Sequence, residues 1–293
     1  MNKKRATLTG LLAIVLWSTM VGLIRAVSEG LGPVGGAAMI YTLSGILLIL
    51  TVGFPDIRRF PRGYLLVGSV LFVSYELCLA LSLGFAATRQ QAIEVGMVNY
   101  LWPSLTILFA ILFNGQKATL WVIPGLILAV MGVSWVLGGE QGLNLHDITQ
   151  NILSSPLSYS LAFAGAFIWA AYCTVTSKYA KGSNGITLFI LLTAATLWIK
   201  FALTDQPAMH FTLPVVIKLA MTAVALGFGY AAWNTGILHG HVAVLAAASY
   251  FTPVLSSALA AAVLSAPLSF SFWQGAFMVC GGSLLCWWAT RRQ

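Results

Sequence analysis

The chain has 293 residues, of which 59% are hydrophobic and 8% charged, and its mean hydropathy is +0.90. So few polar residues cannot cover a soluble protein, and the composition therefore predicts an integral membrane protein. The net charge of +8 could indicate a nucleic-acid partner, so the distribution of the basic residues must decide what the charge means.

The apolar residues form ten long runs, which predicts an all-α bundle of ten transmembrane helices rather than a barrel. The runs cover residues 7–27, 35–54, 64–86, 91–113, 119–138, 156–178, 185–203, 214–235, 241–264 and 270–290. The first run follows Lys3, Lys4 and Arg5 but continues past Met20 without a clear small-residue cleavage site. It is therefore predicted to be a retained helix rather than a signal peptide. The longest connection, near 139–155, is too short for a separate soluble domain.

The basic residues indicate the orientation of these helices. With a cytoplasmic N-terminus, eleven of the 15 Lys and Arg residues fall on the cytoplasmic side, which is the positive-inside pattern. They are Lys3, Lys4, Arg5, Arg58, Arg59, Arg62, Lys117, Lys178, Lys181, Arg291 and Arg292. The net charge thus reports orientation, with both termini in the cytoplasm, and it implies no nucleic-acid partner.

The chain repeats itself at a nearly constant offset. Pro103 in NYLWPSLT has a counterpart 150 positions later, Pro253 in SYFTPVLS. The same offset matches Tyr100 with Tyr250, Gly125 with Gly275 and Gly132 with Gly282, and an offset of 152 matches Trp17 with Trp169 and Gly30 with Gly182. Two halves, 1–150 and 151–293, are therefore predicted, each with five spans.

An odd number of spans in each half has a consequence for topology. The second half must begin on the opposite side of the membrane, so the two five-helix repeats are predicted to be inverted. Inverted repeats are typical of secondary transporters, whose substrate site lies at the repeat interface near the membrane midplane. The pattern therefore predicts a transporter that works by alternating access.

The two matched prolines each fall in the middle of a span. Proline in a helix interior removes a backbone hydrogen bond and leaves carbonyl groups that polar neighbours or a ligand can satisfy. Asn99, Trp102 and Pro103 share one face with Thr106, and the ninth span carries Ser249, Tyr250, Pro253 and Ser256. Either proline alone is more simply an ordinary kink, but their matched placement favours a cavity lining.

Aromatic residues recur at helical spacing beside small or polar residues. Such rings can line a cavity that binds an apolar body and its polar end, although many such stripes only pack. The predicted substrate-site residues are Trp17, Tyr75, Asn99, Tyr100, Trp102, Pro103, Trp169, Tyr172, Tyr230, Trp233, Tyr250 and Pro253. Four other tryptophans near span ends are more simply interfacial belt residues, namely Trp121, Trp273, Trp287 and Trp288.

Two carboxyl groups, those of Glu76 and Glu94, lie within predicted spans. A charge at that depth costs about 3 kcal/mol unless it faces water, is paired or takes up a proton, so both residues are candidates for coupling. Glu94 could instead be a snorkelling or capping carboxyl near Arg89. No Lys or Arg is predicted near the midplane, which disfavours strongly anionic substrates and leaves a zwitterion or a weakly charged aromatic compound.

The motif matches do not indicate an enzyme. A GxGxxG pattern at Gly30, Gly32 and Gly35 follows no strand, and the pair His239 and His241 lies in a short turn. The four cysteines have no metal-site spacing, and no nucleophile motif has a plausible setting. No cofactor, metal or catalytic residue is predicted, and a membrane-embedded enzyme is the less favoured class.

Three stretches carry a family resemblance: EVGMVNYLWPSLTILFAILFNGQK, GAFIWAAYCTVTSKYA and SYFTPVLSSALAA. They resemble the YddG-type aromatic amino acid exporters of the drug/metabolite transporter superfamily, and both halves resemble its EamA repeat. The resemblance runs along essentially the whole chain. One departure is that the Gly-Glu pair often found after the fourth helix of a repeat reads Gly115-Gln116 and Ser265-Ala266 here.

This resemblance implies export of phenylalanine, tyrosine and tryptophan across the bacterial inner membrane. We expect a monomer embedded in the lipid bilayer, and proton coupling because no GxxxxGK[ST] motif is present to bind ATP. Downhill facilitated diffusion is also open, because a neutral zwitterion does no electrical work in crossing. The nearest alternative is an exporter of cationic toxins such as methyl viologen, with Glu76 and Glu94 as counter-charges.

Overall fold

A computed structural model describes residues 2–291, apart from the side chains at 237, 238, 242 and 243. Arg292, which is predicted to lie on the cytoplasmic side, is outside the described residues. This part of the chain forms fourteen α-helices and no β-strand. The helices are α1 (Lys3–Ser18), α2 (Met20–Leu31), α3 (Pro33–Thr51), α4 (Arg62–Phe85), α5 (Arg89–Asn99), α6 (Trp102–Asn114), α7 (Val122–Leu137), α8 (Leu145–Ser154), α9 (Pro156–Tyr179), α10 (Ile186–Leu203), α11 (Leu213–His239), α12 (Val242–Ser249), α13 (Thr252–Leu264) and α14 (Phe270–Arg291).

Seven helical segments of the described chain are long and apolar enough to cross a bilayer. They are Lys3–Leu31, Pro33–Thr51, Arg62–Phe85, Arg89–Asn114, Pro156–Tyr179, Ile186–Leu203 and Leu213–Gly236. Two further apolar helices, Val122–Leu137 and Thr252–Leu264, are shorter. The predicted all-helical membrane fold is confirmed at this level, whereas the number of ten spans stays a prediction.

The two matched prolines each follow a break between helices. α5 ends at Asn99 and α6 begins at Trp102, whereas α12 ends at Ser249 and α13 begins at Thr252. Pro103 and Pro253 are each the second residue of the helix after the break, where a missing N–H costs no helical hydrogen bond. The sequence thus locates both breaks through the proline.

Two local features are not evident in the sequence pattern. The first predicted span is divided at Thr19, whose hydroxyl donates to the Leu16 carbonyl oxygen at 2.6 Å. The predicted connection near 139–155 contains the helix α8, which begins after Asn144. The Asn144 side chain caps α8 by accepting from the backbone N–H groups of His146 and Asp147.

The helices form two compact units, each with members from both halves of the sequence. The first unit contains α1 to α3 and α10 to α13. In it α1 packs along α11 and α3 along α10, and the Ser44 hydroxyl lies within hydrogen-bond distance of the Ile40 and Ala223 carbonyl oxygens. The second unit contains α4 to α9 and α14. In it α4 packs along α9 and α7 along α14.

Helices α7 and α14 of the second unit meet at four glycines. A Cβ atom added to Gly132 would lie 2.7 Å from the Gly275 carbonyl oxygen, and one added to Gly125 would lie 2.9 Å from the Gly282 carbonyl oxygen. The earlier glycine of α7 meets the later glycine of α14, and the later one meets the earlier, so the two helices are antiparallel. The contacts are reciprocal, because the repeat matches Gly125 with Gly275 and Gly132 with Gly282.

Replacing Gly282 by alanine is expected to lower the melting temperature of the detergent-solubilised protein. The new Cβ would lie 2.5 Å from the Ala129 backbone nitrogen and 2.6 Å from the Gly125 carbonyl oxygen, so the helices would have to separate. Overpacking of this kind costs about 1–3 kcal/mol. The matched control is Gly281→Ala, whose Cβ would meet only the Leu128 Cδ2 atom at 3.6 Å. Equal melting temperatures for the two variants would contradict the close α7–α14 contact.

Candidate functional site

Trp169 on α9 is the centre of an aromatic cluster in the second unit. Its ring centroid lies 4.3 Å from that of Tyr75 on α4, 5.0 Å from that of Tyr172 and 6.3 Å from that of Trp102. Phe72, one helical turn before Tyr75, lies 6.1 Å from Trp169. Residues three apart on one helix share a face, which explains why α4 and α9 each contribute two rings. Phe72 is not among the residues predicted from the sequence, although its spacing of three residues from Tyr75 is a usable signal.

Asn99 adds an unsatisfied polar atom to this region. It is the last residue of α5 and is 3% exposed. Its Nδ2 donates to the Tyr75 hydroxyl at 3.4 Å, while its Oδ1 is buried and has no hydrogen-bond partner among the described residues. A Cβ added to Gly165 of α9 would lie 3.3 Å from this oxygen. Because an unmade buried hydrogen bond is costly, Asn99 Oδ1 is a favourable acceptor for a ligand N–H group.

The two helix breaks differ in whether the carbonyl group of the last residue before the break has a hydrogen-bond donor. Pro103 has no N–H, so the Asn99 carbonyl lacks its usual donor four residues ahead. At the second break the equivalent carbonyl, that of Ser249, accepts a hydrogen bond from the Thr252 hydroxyl at 2.6 Å. The residue matched to Thr252 is Trp102, which carries no hydroxyl. The first break therefore has the greater capacity to accept from a ligand.

A second group of predicted residues lies in the first unit. The ring centroid of Trp17 is 5.2 Å from that of Tyr230 and 5.3 Å from that of Trp233. A Cβ added to Gly229 would lie 2.7 Å from the Trp17 Nε1 atom, so this glycine makes room for the indole. Tyr250 lies in the break between α12 and α13, followed by the buried Pro253.

The predicted residues are therefore distributed over both units. In the second unit the structure brings together Tyr75, Asn99, Trp102, Trp169 and Tyr172, while Tyr100 and Pro103 lie at the break between α5 and α6. In the first unit it brings together Trp17, Tyr230 and Trp233. Their roles in binding stay predictions.

The two in-span acids are both buried. Glu76 on α4 is 1% exposed, and Glu94 on α5 is 8% exposed. Glu94 Oε1 accepts from Gln90 Nε2 at 3.3 Å, and its Oε2 accepts from Asn151 Nδ2 at 2.8 Å and lies 3.1 Å from the Tyr159 hydroxyl. Glu94 thus joins α5 to α8 and α9 through neutral groups.

The partners of Glu94 are not among the residues predicted from the sequence. Asn151 lies on α8, inside what was predicted to be a connection, and Tyr159 lies near the start of α9. The sequence signal for these partners is a polar residue, Asn151, and a tyrosine, Tyr159, on either side of the predicted start of a span at 156. Among the described residues, no three His, Cys, Asp or Glu side chains lie close enough to share a metal ion.

Comparison with known proteins identifies the family. The model of the EamA-like transporter family matches residues 4–138 and 156–288. The chain belongs to the EamA-like transporter family. It is therefore a transporter and not an enzyme, which confirms the class and the family resemblance predicted from the sequence.

Curated relatives of this EamA-family chain extend over its full length. A protein of Escherichia coli (strain K12) named "Aromatic amino acid exporter YddG" is 74% identical over 292 residues, covering 100% of both chains. The protein of the same name from Salmonella typhimurium is 73% identical over 293 residues, again covering 100% of both. The protein of that name from Ancylobacter novellus is 26% identical over 266 residues and 88% of each chain.

A solved structure also resembles this EamA-family chain. It is described as "Crystal structure of protein", is 25% identical, and covers 99% of both chains with a TM-score of 0.70. The fold is therefore one that an experimental structure shares over nearly the whole length.

Proposed function

We propose that this transporter exports aromatic amino acids from the cytoplasm across the bacterial inner membrane. The observation that carries the proposal is full-length identity of 74% and 73% to two proteins named as aromatic amino acid exporters. The Trp169 cluster adds a physical reason, because aromatic rings bind the flat face and edge of another ring favourably. Sequence identity this high over the full length of both chains supports a substrate class shared between this protein and those two exporters.

The substrate side chain stacks on the rings of Trp169, Tyr75 and Trp102. The substrate ammonium group donates to Asn99 Oδ1, which has no hydrogen-bond partner among the described residues. It also donates to the Asn99 backbone carbonyl, which lacks the usual helical donor because Pro103 has no N–H. The substrate carboxylate accepts from backbone N–H groups at the start of α6, where the helix dipole favours negative charge. Further proposed contacts at this site are Tyr100, Pro103 and Tyr172. The group in the first unit is proposed to contact the substrate separately, and its members are Trp17, Tyr230, Trp233, Tyr250 and Pro253.

The proposed architecture is ten transmembrane helices in two inverted five-helix repeats, 1–150 and 151–293. Two separate matches to one family model support an internal repeat. The antiparallel pair α7 and α14, with its reciprocal glycines, supports opposite orientation of equivalent helices. Left-handed backbone at Gly115 and at Ser265, 150 positions later, ends α6 and α13 alike. Such repeats permit two equivalent conformations, open to one side and then to the other.

The protein functions as a monomer with both termini in the cytoplasm, and its energy comes from a gradient. An aromatic amino acid is a neutral zwitterion overall, so the membrane potential does no net work on it. Proton exchange against the substrate would add a driving force, and buried carboxyl groups such as Glu76 and Glu94 are the groups suited to it.

The experiment is transport of labelled phenylalanine by purified protein in proteoliposomes. We expect protein-dependent movement of phenylalanine, competition by tyrosine and tryptophan, and no competition by lysine. An imposed pH gradient should accelerate the movement. Transport of methyl viologen without transport of phenylalanine would contradict the proposal and favour the cationic-toxin exporter, for which the buried Glu76 and Glu94 would serve as counter-charges.

A further inference from the structure

The cluster of Glu94, Asn151 and Tyr159 in the second unit allows its hydrogen atoms to be counted. Asn151 Nδ2 lies 2.8 Å from Glu94 Oε2 and 3.2 Å from the Leu137 carbonyl oxygen. The Tyr159 hydroxyl lies 3.1 Å from Glu94 Oε2 and 2.9 Å from Asn151 Oδ1. All these contacts are within hydrogen-bond distance, and each is a favourable hydrogen bond only if one hydrogen lies between its two oxygen or nitrogen atoms.

The orientation of the Asn151 amide is fixed by the Leu137 carbonyl. A backbone carbonyl can only accept, so the amide atom 3.2 Å from it has to be the NH2 group. The amide oxygen therefore faces the Tyr159 hydroxyl, and because an amide oxygen can only accept, the hydrogen in that contact comes from Tyr159.

A tyrosine hydroxyl has one hydrogen, and this arrangement uses it on Asn151. The contact between the Tyr159 oxygen and Glu94 Oε2 then has no hydrogen if Glu94 is ionised, because a carboxylate only accepts. If the Tyr159 hydrogen points to Glu94 instead, Asn151 Oδ1 is left facing a lone pair at 2.9 Å. A proton on Glu94 Oε2 satisfies both contacts, because Glu94 then donates to Tyr159 and Tyr159 donates to Asn151.

The surroundings of Glu94 also favour the uncharged form. The titratable or charged side chains on the helices around it are Arg62, Tyr64, Tyr75, Glu76 and Cys78 on α4, Arg89 on α5, His146 and Asp147 on α8, and Tyr159, Tyr172, Cys173, Lys178 and Tyr179 on α9. α7 carries none. Within the described chain, only Tyr159 among these lies within hydrogen-bond distance of Glu94, and no basic group lies within ion-pair distance of it. An uncompensated charge in a membrane segment is energetically costly, so an acid without a basic partner there favours the protonated form.

We propose that Glu94 carries a proton in this conformation and is the carboxyl group that couples proton movement to transport. The second part rests on the proposed function. In the coupling step the O–H bond of Glu94 breaks and the proton passes to water. The carboxylate then takes the hydrogen bond of the Tyr159 hydroxyl, so Asn151 Oδ1 loses its donor and the link between α8 and α9 weakens.

The first test is infrared spectroscopy of the reconstituted protein. We expect a protonated-acid carbonyl band at neutral pH that is absent from Glu94→Gln and is lost from the wild type at high pH. The matched control is Glu140→Gln, which removes an exposed carboxyl group and should leave that band unchanged. If Glu94→Gln removes a carboxylate band and no acid band, the proton assignment is wrong.

Tyr159→Phe provides a second spectroscopic readout. It removes the acceptor of the Glu94 proton, so the acid carbonyl band should shift in frequency rather than disappear. An unshifted band in folded Tyr159→Phe protein would mean that Glu94 does not donate to Tyr159. That result would overturn the proposal that Glu94 carries the proton.

Transport measurements separate this inference from the proposed function. In proteoliposomes Glu94→Gln should still move labelled phenylalanine down its gradient, but acceleration by an imposed pH gradient should be lost. Retention of the full acceleration would overturn the coupling role of Glu94. Failure of the wild type to move phenylalanine would instead contradict the proposed function, and the infrared result on the proton would be unaffected.

Discussion

Replacing Trp169 by alanine is expected to lower the transport of labelled phenylalanine by at least about tenfold. The Trp169 ring lies 4.3 Å from Tyr75 and 5.0 Å from Tyr172, so it is the ring through which the cluster is connected. Loss of an aromatic anchor at a binding surface typically costs about 2 kcal/mol or more, and about 1.4 kcal/mol corresponds to a factor of ten. The measurement is the initial transport rate per amount of reconstituted protein.

Two variants control for loss of folding or of bulk in the Trp169 experiment. Trp169→Phe retains a ring and should recover most of the transport, because ring stacking does not need the indole nitrogen. Trp121→Ala removes an exposed tryptophan, whose one described ring contact is an edge arrangement with Trp288 at 6.1 Å. The protein with this substitution should transport phenylalanine at the wild-type rate. Full transport by Trp169→Ala would remove the proposed aromatic site.

Replacing Asn99 by leucine is expected to reduce phenylalanine transport by about tenfold without lowering the melting temperature. Asn99 Oδ1 is buried without a partner among the described residues, so its removal relieves an unmade hydrogen bond while the substrate ammonium loses an acceptor. This relief offsets the loss of the long hydrogen bond from Asn99 Nδ2 to the Tyr75 hydroxyl, at 3.4 Å. A hydrogen bond to a charged group contributes about 1.5–3 kcal/mol, which agrees with a loss of this size. Transport rate and thermal unfolding in detergent are measured on the same preparations.

Asn114→Leu is the matched control for Asn99→Leu. Asn114 is the last residue of α6, and its Oδ1 is also buried without a partner among the described residues. Its Nδ2 makes two hydrogen bonds, to the Thr174 carbonyl at 3.2 Å and to the Ser177 hydroxyl at 2.8 Å, whereas Asn99 Nδ2 makes one long bond, to the Tyr75 hydroxyl at 3.4 Å. Its loss should therefore lower the melting temperature and leave the transport rate of folded protein near the wild-type value. The site assignment of Asn99 would be contradicted if the two variants lost stability and transport in the same proportion.

Several elements follow from the sequence because one local property decides them. Apolar runs long enough for a bilayer predict the helices, and Pro103 and Pro253 mark the two breaks because a proline cannot continue the hydrogen-bond ladder. The break at Thr19 has no such marker. There the Leu16 carbonyl oxygen accepts from both the hydroxyl and the backbone N–H of Thr19, which sequence periodicity does not reveal.

The grouping of side chains in space was harder to predict. Trp169 and Tyr75 belong to different halves of the sequence, yet their ring centroids lie 4.3 Å apart within one compact unit. The offset of the repeat does not indicate which helices pack together. The sequence alone identifies Glu94 as an in-span acid. Its partners Asn151 and Tyr159 are 57 and 65 residues away along the chain, and only the packing of the helices brings them to it. Contacts at such separations depend on the three-dimensional arrangement rather than on a local pattern.

Photoaffinity labelling with azido-phenylalanine, followed by peptide mapping, locates the bound ring of the exported amino acid. If the ring of the exported amino acid rests on the Trp169 cluster, cross-links will map to Phe72–Tyr75, Asn99–Pro103 and Trp169–Tyr172, and excess unlabelled phenylalanine will suppress them. Cross-links confined to exposed apolar residues such as Leu120 or Phe270, and insensitive to competitor, would contradict it.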